Sequence, residues 1–208
     1  MKHYSAIIFD LDGTLYNNAH LPFQLVASNP SKALWMLSER IARKRLAGRE
    51  FDSEDLLYAE MFRQIGKTHR SSINAAEQWY KTSYMPTMVR LIGEKHPKYD
   101  WVLPLIEILR NRKCKLALFS DYGFVLEKLA ALGIDESLFD IIVDGPSLGG
   151  LKPCKRSFMR VVEMLGSTTQ TTLMFGDRES TDGEGCRQAG IDFINVKKTD
   201  MNKLLTEL

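Results

Sequence analysis

The sequence predicts an α/β protein, a Rossmann-like doubly wound parallel sheet into which an all-helical subdomain is inserted. Three observations predict it. Five short apolar runs, rich in β-branched and aromatic residues, are each bounded by Gly, Asp or Ser. Helical patterns alternate with the later runs. Between the first run and the second lies a stretch of about 80 residues with helical periodicity and no strand pattern.

In chain order, the first run covers residues 4–9 and ends at Asp10. Three helical patterns then fill the stretch from Asn18 to Tyr99. The first, residues 32–47, starts after Asn29-Pro30-Ser31 and stops before Gly48, with Leu34, Leu37 and Ile41 at helical spacing. The second, residues 54–65, starts after Asp52-Ser53 and stops before Gly66, with Leu57, Met61 and Ile65 in phase. The third, residues 73–92, is interrupted near Pro86. Next come a helix over 104–112 opened by Pro104 at its first position, a strand over 115–119, and a helix over 124–132 closed by Gly133. A strand over 139–143, a helix over 155–165 closed by Gly166, and strands over 172–175 and 191–196 follow. A last helix over 200–205 takes Thr199 or Asp200 as its cap. Nearly continuous apolar strands are buried on both faces, which calls for helices on both sides of a parallel sheet. The expected division is an α/β core of residues 1–17 and 100–208 and a helical subdomain of residues 18–99.

Composition narrows the function classes. With 208 residues, 44% of them apolar, the chain can bury one good core and carry an insertion. No stretch approaches the roughly 18 apolar residues of a membrane span. Met1-Lys2-His3-Tyr4 leads into a strand pattern instead of a signal peptide, so a soluble cytoplasmic protein without membrane partners is expected. Cys114, Cys154 and Cys186 form no Cys-x-x-Cys pair, and His3, His20, His69 and His96 are scattered, which argues against disulfides and against a zinc or histidine centre. The stretch 18–99 holds 13 Lys and Arg against 8 Asp and Glu, and the remainder 15 against 18. The overall charge of +2 and the lack of a recognised motif argue against a nucleic-acid partner. Arg40, Arg43, Lys44, Arg45 and Arg49 read as a solvated helix face, and Trp35, Trp79, Tyr80 and Tyr84 as core of the helical segment.

The chemistry gathers at the ends of strands. "AIIFDLDGTLY" closes an apolar strand with Asp10 and Asp12. Taken alone, Asp-Leu-Asp-Gly reads equally as a turn. "LMFGDRESTDGEG" then puts Asp177 after another strand, with Asp182 five residues on. In a parallel sheet these ends face the ligand crevice, and convergent carboxylates there suit Mg²⁺ completed by a phosphate. "KLALFSDYG" adds the hydroxyl of Ser120 and the turn N–H groups of Asp121 and Tyr122, and "GGLKPCKRSF" adds Lys152. Separately these read as a strand cap and a surface lysine. Together they are the donors and cation that a phosphoryl-transfer transition state requires.

The four segments resemble, in order and spacing, the four signature motifs of the haloacid dehalogenase-like hydrolase superfamily, in members with a helical cap between the first and second motifs. The resemblance covers the organisation of the whole chain. It implies a Mg²⁺-dependent phosphatase acting on a small phosphorylated metabolite. Asp10 would be the nucleophile that forms an aspartyl-phosphate, and Asp12 the general acid and base. Asp10, Asp177 and the backbone carbonyl of Asp12 would bind the metal, with Asp182 assisting directly or through water. Ser120, Asp121 and Lys152 would bind the phosphoryl group, with Ser120 and Lys152 in the catalytic set. Asp12 favours phosphoester over carbon–halogen chemistry. A phosphomutase, or a non-catalytic Mg²⁺- or phosphate-binding module on the same fold, are the alternatives. Two departures stand out: Lys155 replaces a proline of the usual Lys-Pro-x-Pro pattern and puts Lys155 and Arg156 near the site, and Asp121 stands where Asn is more usual. Arg178 reads as a structural partner of an acidic neighbour.

Overall fold

The structure is a computed structural model that describes residues 3–207. Met1, Lys2 and Leu208, which the expected core boundaries and the reading of the N-terminal segment include, lie outside the described residues. Five strands, β1 (Ala6–Phe9), β2 (Lys115–Ser120), β3 (Ile141–Asp144), β4 (Thr172–Gly176) and β5 (Asp192–Asn195), pair in parallel in the order β3-β2-β1-β4-β5. β1 is therefore central, and strand order reverses on either side of it, which opens a crevice beyond its carboxyl end. Phe9 is level with Leu118 on one side and Phe175 on the other, so the three strands that lead into Asp10, into Ser120 and Asp121, and into Asp177 end at nearly the same height.

Between β1 and β2 the chain is helical: α1 (Leu21–Ser28), α2 (Ala33–Leu46), α3 (Glu54–Thr68), α4 (Ile73–Trp79) and α5 (Met85–Lys95). α6 (Val102–Asn111), α7 (Val125–Ala131), α8 (Lys155–Met164), α9 (Glu184–Ala189) and α10 (Met201–Glu207) belong to the alternating part. Successive strand residues face opposite ways. Ala6, Ile8, Ala117, Phe119 and Met174 pack with Phe158 and Val161 of α8, while Ile7, Phe9, Leu118 and Phe175 belong to the core shared with the helical segment. Among the described residues no helix is long and apolar enough to cross a membrane.

Several boundaries differ from expectation for identifiable reasons. α1 has no sequence signature because Pro22 lies in its first turn, no side chain caps it, and Asn29-Pro30 follows at once. Burial of Leu21 and Leu25 holds it, consistent with packing outweighing propensity in short helices. α3 continues past Gly66 to Thr68, because that glycine serves close approach: a Cβ there would lie 2.8 Å from the carbonyl oxygen of Ser71. The third helical pattern is not broken at Pro86. Residues 80–84 form a wider π-type turn in which the Met85 N–H reaches the carbonyl of Tyr80, and Pro86 enters the first turn of α5, where its missing N–H costs nothing. Pro104 likewise sits third in α6 instead of first. Asp200 caps α10, accepting the N–H groups of Asn202 and Lys203.

α2 departs most. Its apolar stripe is exposed, Leu34 at 67%, Leu37 at 53% and Ile41 at 43%, and its buried face carries Met36, Glu39, Ala42, Arg43 and Leu46. Arg43 is thus no solvated cation. Its guanidinium donates to Glu39 (2.6 Å), to the Tyr80 hydroxyl (2.8 Å) and to the carbonyl of Asp121 beyond β2 (2.6 Å), and stacks over Tyr122. That contact ties the helical segment to the sheet. Gly48 and Phe51 reinforce it by donating their N–H groups to Leu151 and Gly149.

Candidate active site

The site begins with the turn after β1. Asp10 donates its N–H to Phe175 of β4, and Thr14 folds back to donate its hydroxyl to Asp10 Oδ2 (2.6 Å). Gly13 permits this turn: its φ is +99°, and a Cβ there would collide with the Asp177 carboxylate. Lys152, fully buried, donates to Asp10 Oδ1 (2.6 Å) and to Asp182 Oδ1 (2.8 Å), with its ammonium 4.8 Å from the Phe119 ring. Asp182 Oδ2 accepts the N–H of Arg178 (3.1 Å), and Asp177 Oδ2 receives the Lys197 ammonium (2.5 Å).

Ligand oxygens of Asp10, Asp177 and Asp182 all lie within 4.8 Å of one another, and all three residues are buried. Asp177 Oδ1 is buried with no hydrogen-bond partner among the described residues, and Arg178 Nε stands 3.6 Å away. Burial, opposed by Lys152 and reinforced by Asp182, pushes the Asp10 carboxyl above the ordinary carboxylate range. Burial and then the charge of Asp10 do the same to Asp177. Burial works against the Lys152 charge, but Asp10, Asp182 and Asp121 together hold its ammonium protonated well above the usual lysine value. An all-oxygen donor set with an orphaned oxygen and two carboxyls held up by burial and by neighbouring carboxylates fits a hard divalent cation such as Mg²⁺.

Asp12 faces another way. Lys128 of α7 donates to both of its oxygens (2.9 and 2.7 Å), the Tyr16 hydroxyl donates to Oδ1 (2.6 Å), and Ser120 Oγ lies 3.1 Å from Oδ2. Burial alone would raise its pKa; Lys128, then Tyr16 and Ser120, more than offset that and hold it low. Ser120 Oγ also lies 2.9 Å from the Tyr122 carbonyl and accepts the Tyr122 N–H (3.1 Å), so its hydroxyl is engaged within the protein. The Asp121 carboxylate accepts the N–H of Lys152 (2.8 Å), joining the second and third segments.

Asp10, Lys152, Asp177 and Asp182 therefore form one cluster, with Asp12 and Ser120 in an adjoining network. Arg156, expected near the site, instead reaches the carbonyls of Phe51 and Gly149, and Lys155 is exposed at the start of α8. Lys128, Tyr16 and Lys197 were not singled out from the sequence. A signal existed for Lys128, which lies on the same stripe as Val125, Leu129 and Leu132, where a lysine is out of place unless paired. Over this floor a cleft of about 800 Å³ opens between the sheet and the helical segment, reaching from Asp12, Lys152 and Asp177 out to α1 and α2.

The family model of haloacid dehalogenase-like hydrolases matches residues 4–190. Among curated relatives, pyrophosphatase PpaX of Listeria monocytogenes serotype 4a is 24% identical over 184 residues, covering 83% of this chain and 74% of that protein. Glyceraldehyde 3-phosphate phosphatase of Methanopyrus kandleri is 25% identical over 210 residues, covering 93% and 84%. Among solved structures, 2-haloacid dehalogenase from Pseudomonas syringae superposes with a TM-score of 0.64 at 19% identity, covering 92% of this chain and 86% of that one, which shows the shared fold.

Proposed function

The chain belongs to the haloacid dehalogenase-like hydrolase family, and from that premise we propose that it is a Mg²⁺-dependent phosphatase that hydrolyses a small phosphorylated metabolite through an aspartyl-phosphate on Asp10. The observation that carries this reading is the Asp10 carboxylate itself. It is buried at the switch point of the sheet, oriented by Thr14 and Lys152, and has two further carboxylates within 4.8 Å. The names of the relatives, a pyrophosphatase and a glyceraldehyde 3-phosphate phosphatase, support phosphoryl hydrolysis and differ in the group that bears the phosphoryl.

Asp10, Asp177, Asp182 and the backbone carbonyl of Asp12 would hold the metal. Bound there, Mg²⁺ supplies countercharge and polarises a phosphoryl oxygen. An Asp10 oxygen attacks phosphorus, the bond from phosphorus to the leaving oxygen breaks, and Asp12, entering this step protonated, delivers its proton to that oxygen. Water then attacks phosphorus while Asp12 takes its proton, and the acyl-phosphate bond breaks to release inorganic phosphate and free Asp10. The contacts from Lys128, Tyr16 and Ser120 favour ionised Asp12, the form this second step needs. Lys152 remains charged throughout and offsets the negative charge gathered between Asp10 and the phosphoryl oxygens, to which the Asp121 N–H would donate. The Ser120 hydroxyl, which faces Asp12 and the Tyr122 carbonyl in this structure, would turn from them to join it. Residues 18–99 act as the cap over the core of residues 1–17 and 100–208 and supply the contacts to the leaving group. The cytoplasm suits the three free, buried cysteines.

The test is phosphate release from p-nitrophenyl phosphate by the purified protein. Activity with Mg²⁺ is expected, disappears in EDTA, and falls at least about a thousandfold in Asp10→Asn. Activity retained by Asp10→Asn would remove Asp10 as the nucleophile.

A further inference from the structure

We infer that the leaving group is an apolar alcohol, so that the substrate is a phosphate monoester of a hydrocarbon chain or ring system rather than of a short polar metabolite. The inference rests on the phosphatase reading and narrows its substrate class. The cleft is graded along α2. At the carboxyl end of that helix Arg43 is bonded to the carbonyl of Asp121, Gly48 just beyond it to that of Leu151, and Lys44 lines the cleft. Toward its amino end the cleft is lined by Ile41, Leu37 and Ala33, with the Arg40 cation between Ile41 and Leu37. From Arg43 to Leu37 the helix rises about 9 Å, at 1.5 Å per residue. The facing wall is α1, with Leu21, Leu25 and Val26. Arg43 and Lys44 thus lie at the carboxylate end, and beyond them the α1 and α2 lining is mostly hydrocarbon, interrupted by Arg40.

Size and exposure agree with that gradient. A cleft of about 800 Å³ matches sites that enclose ligands of drug-like size, roughly 300–1,000 Å³. A two- or three-carbon polar group would leave most of it to water. Leu37 at 53% exposure and Ile41 at 43% line the cleft, and Leu34, at 67%, lies on the same stripe of α2. An exposed apolar stripe that lines a cleft is the pattern of a binding groove. Its continuity with a phosphoryl site selects an amphiphilic phosphate as occupant.

The test is a series of n-alkyl phosphates from ethyl to decyl, below their micellar concentrations and with Mg²⁺, scored for released phosphate. The expected kcat/KM rises by about two- to fourfold per methylene until the chain clears the cleft, the upper figure being that of a fully buried methylene. Leu37→Asp and Ile41→Asp, both at exposed positions, are expected to lower the decyl-to-ethyl ratio at least tenfold. Binding of n-alkylphosphonates, followed by calorimetry, should tighten with chain length in parallel and reads the cleft without turnover. Turnover with a flat chain-length profile would overturn the inference and leave the phosphatase reading standing. If a dimer that Leu37→Asp dissociates accompanied that flat profile, the apolar face would belong to a second copy of the chain. No release from any ester, with phosphonate binding that still tightens with length, would sink the phosphatase reading and keep the apolar cleft.

Discussion

Asp10 and Asp12 are one residue apart and sit in different electrostatic surroundings. Asp10 shares Lys152 with Asp182 and lies near Asp177, and burial holds its carboxyl up; Asp12 faces the Lys128 ammonium and the Tyr16 and Ser120 hydroxyls and is held down. Two carboxyls whose surroundings push them apart can take different roles in one reaction. Asp10 and Asp12 were legible from the spacing of one motif. Lys128 was not, because it comes from a helix more than a hundred residues away and no motif marks it. Removing it leaves a buried carboxylate without its cation. Lys128→Met should cost about 3–5 kcal/mol in urea unfolding, and combining it with Asp12→Asn should cost less than the sum of the two single changes. Additive losses would mean that the two side chains do not act as a pair.

Elements were legible where local chemistry and tertiary packing agree. The apolar runs gave five strands, since Val, Ile, Leu and Phe in short blocks suit a sheet covered on both sides. Glycine was the less dependable signal. Gly133 follows the end of α7 with positive φ, but Gly66 sits inside α3 because the chain of Ser71 and Ser72 passes against it. Helix propensity alone would make Gly66→Ala stabilising by about 1 kcal/mol. The contact at 2.8 Å with the Ser71 carbonyl reverses the sign, since forcing atoms into filled space costs about 1–3 kcal/mol. A net loss of about 1 kcal/mol is expected in thermal unfolding, and a gain would show that the loop after α3 gives way. In α2 the period of Leu34, Leu37 and Ile41 predicted the helix correctly but not the direction it faces. A charged pair, Glu39 with Arg43, occupies the inner face, and periodicity cannot identify a buried ion pair.

For the whole molecule, stability and the metal site are linked. Asp10 and Asp177 both have raised pKa values, so over the window between the ordinary carboxylate value and their own the folded chain binds protons that the unfolded chain has released. Without metal, the stability contributed by these two groups therefore rises as pH falls through that window and is lower at neutral pH. On the proposed reading, Mg²⁺ would replace those protons. It should raise the melting temperature more at about pH 7.5 than at about pH 5, and Asp177→Asn should abolish most of the increment. An equal shift at both pH values, or one unaffected by Asp177→Asn, would place cation binding elsewhere. The readout is unfolding, so it holds even if the substrate is unknown.

By itself the sequence determined the parallel sheet, the helical segment between the first two strands, and the strand-end positions of Asp10, Ser120 and Asp177. These follow from local patterns, apolar blocks and the residues that end them, which act over a few positions. Only the tertiary structure decided which groups pair across the crevice: Lys128 with Asp12, Lys197 with Asp177, and Arg43 with the end of β2. It also decided that the apolar face of α2 lines the cleft. A side chain's partner and direction depend on the rigid placement of elements far apart in the chain, and periodicity within one element carries no record of it.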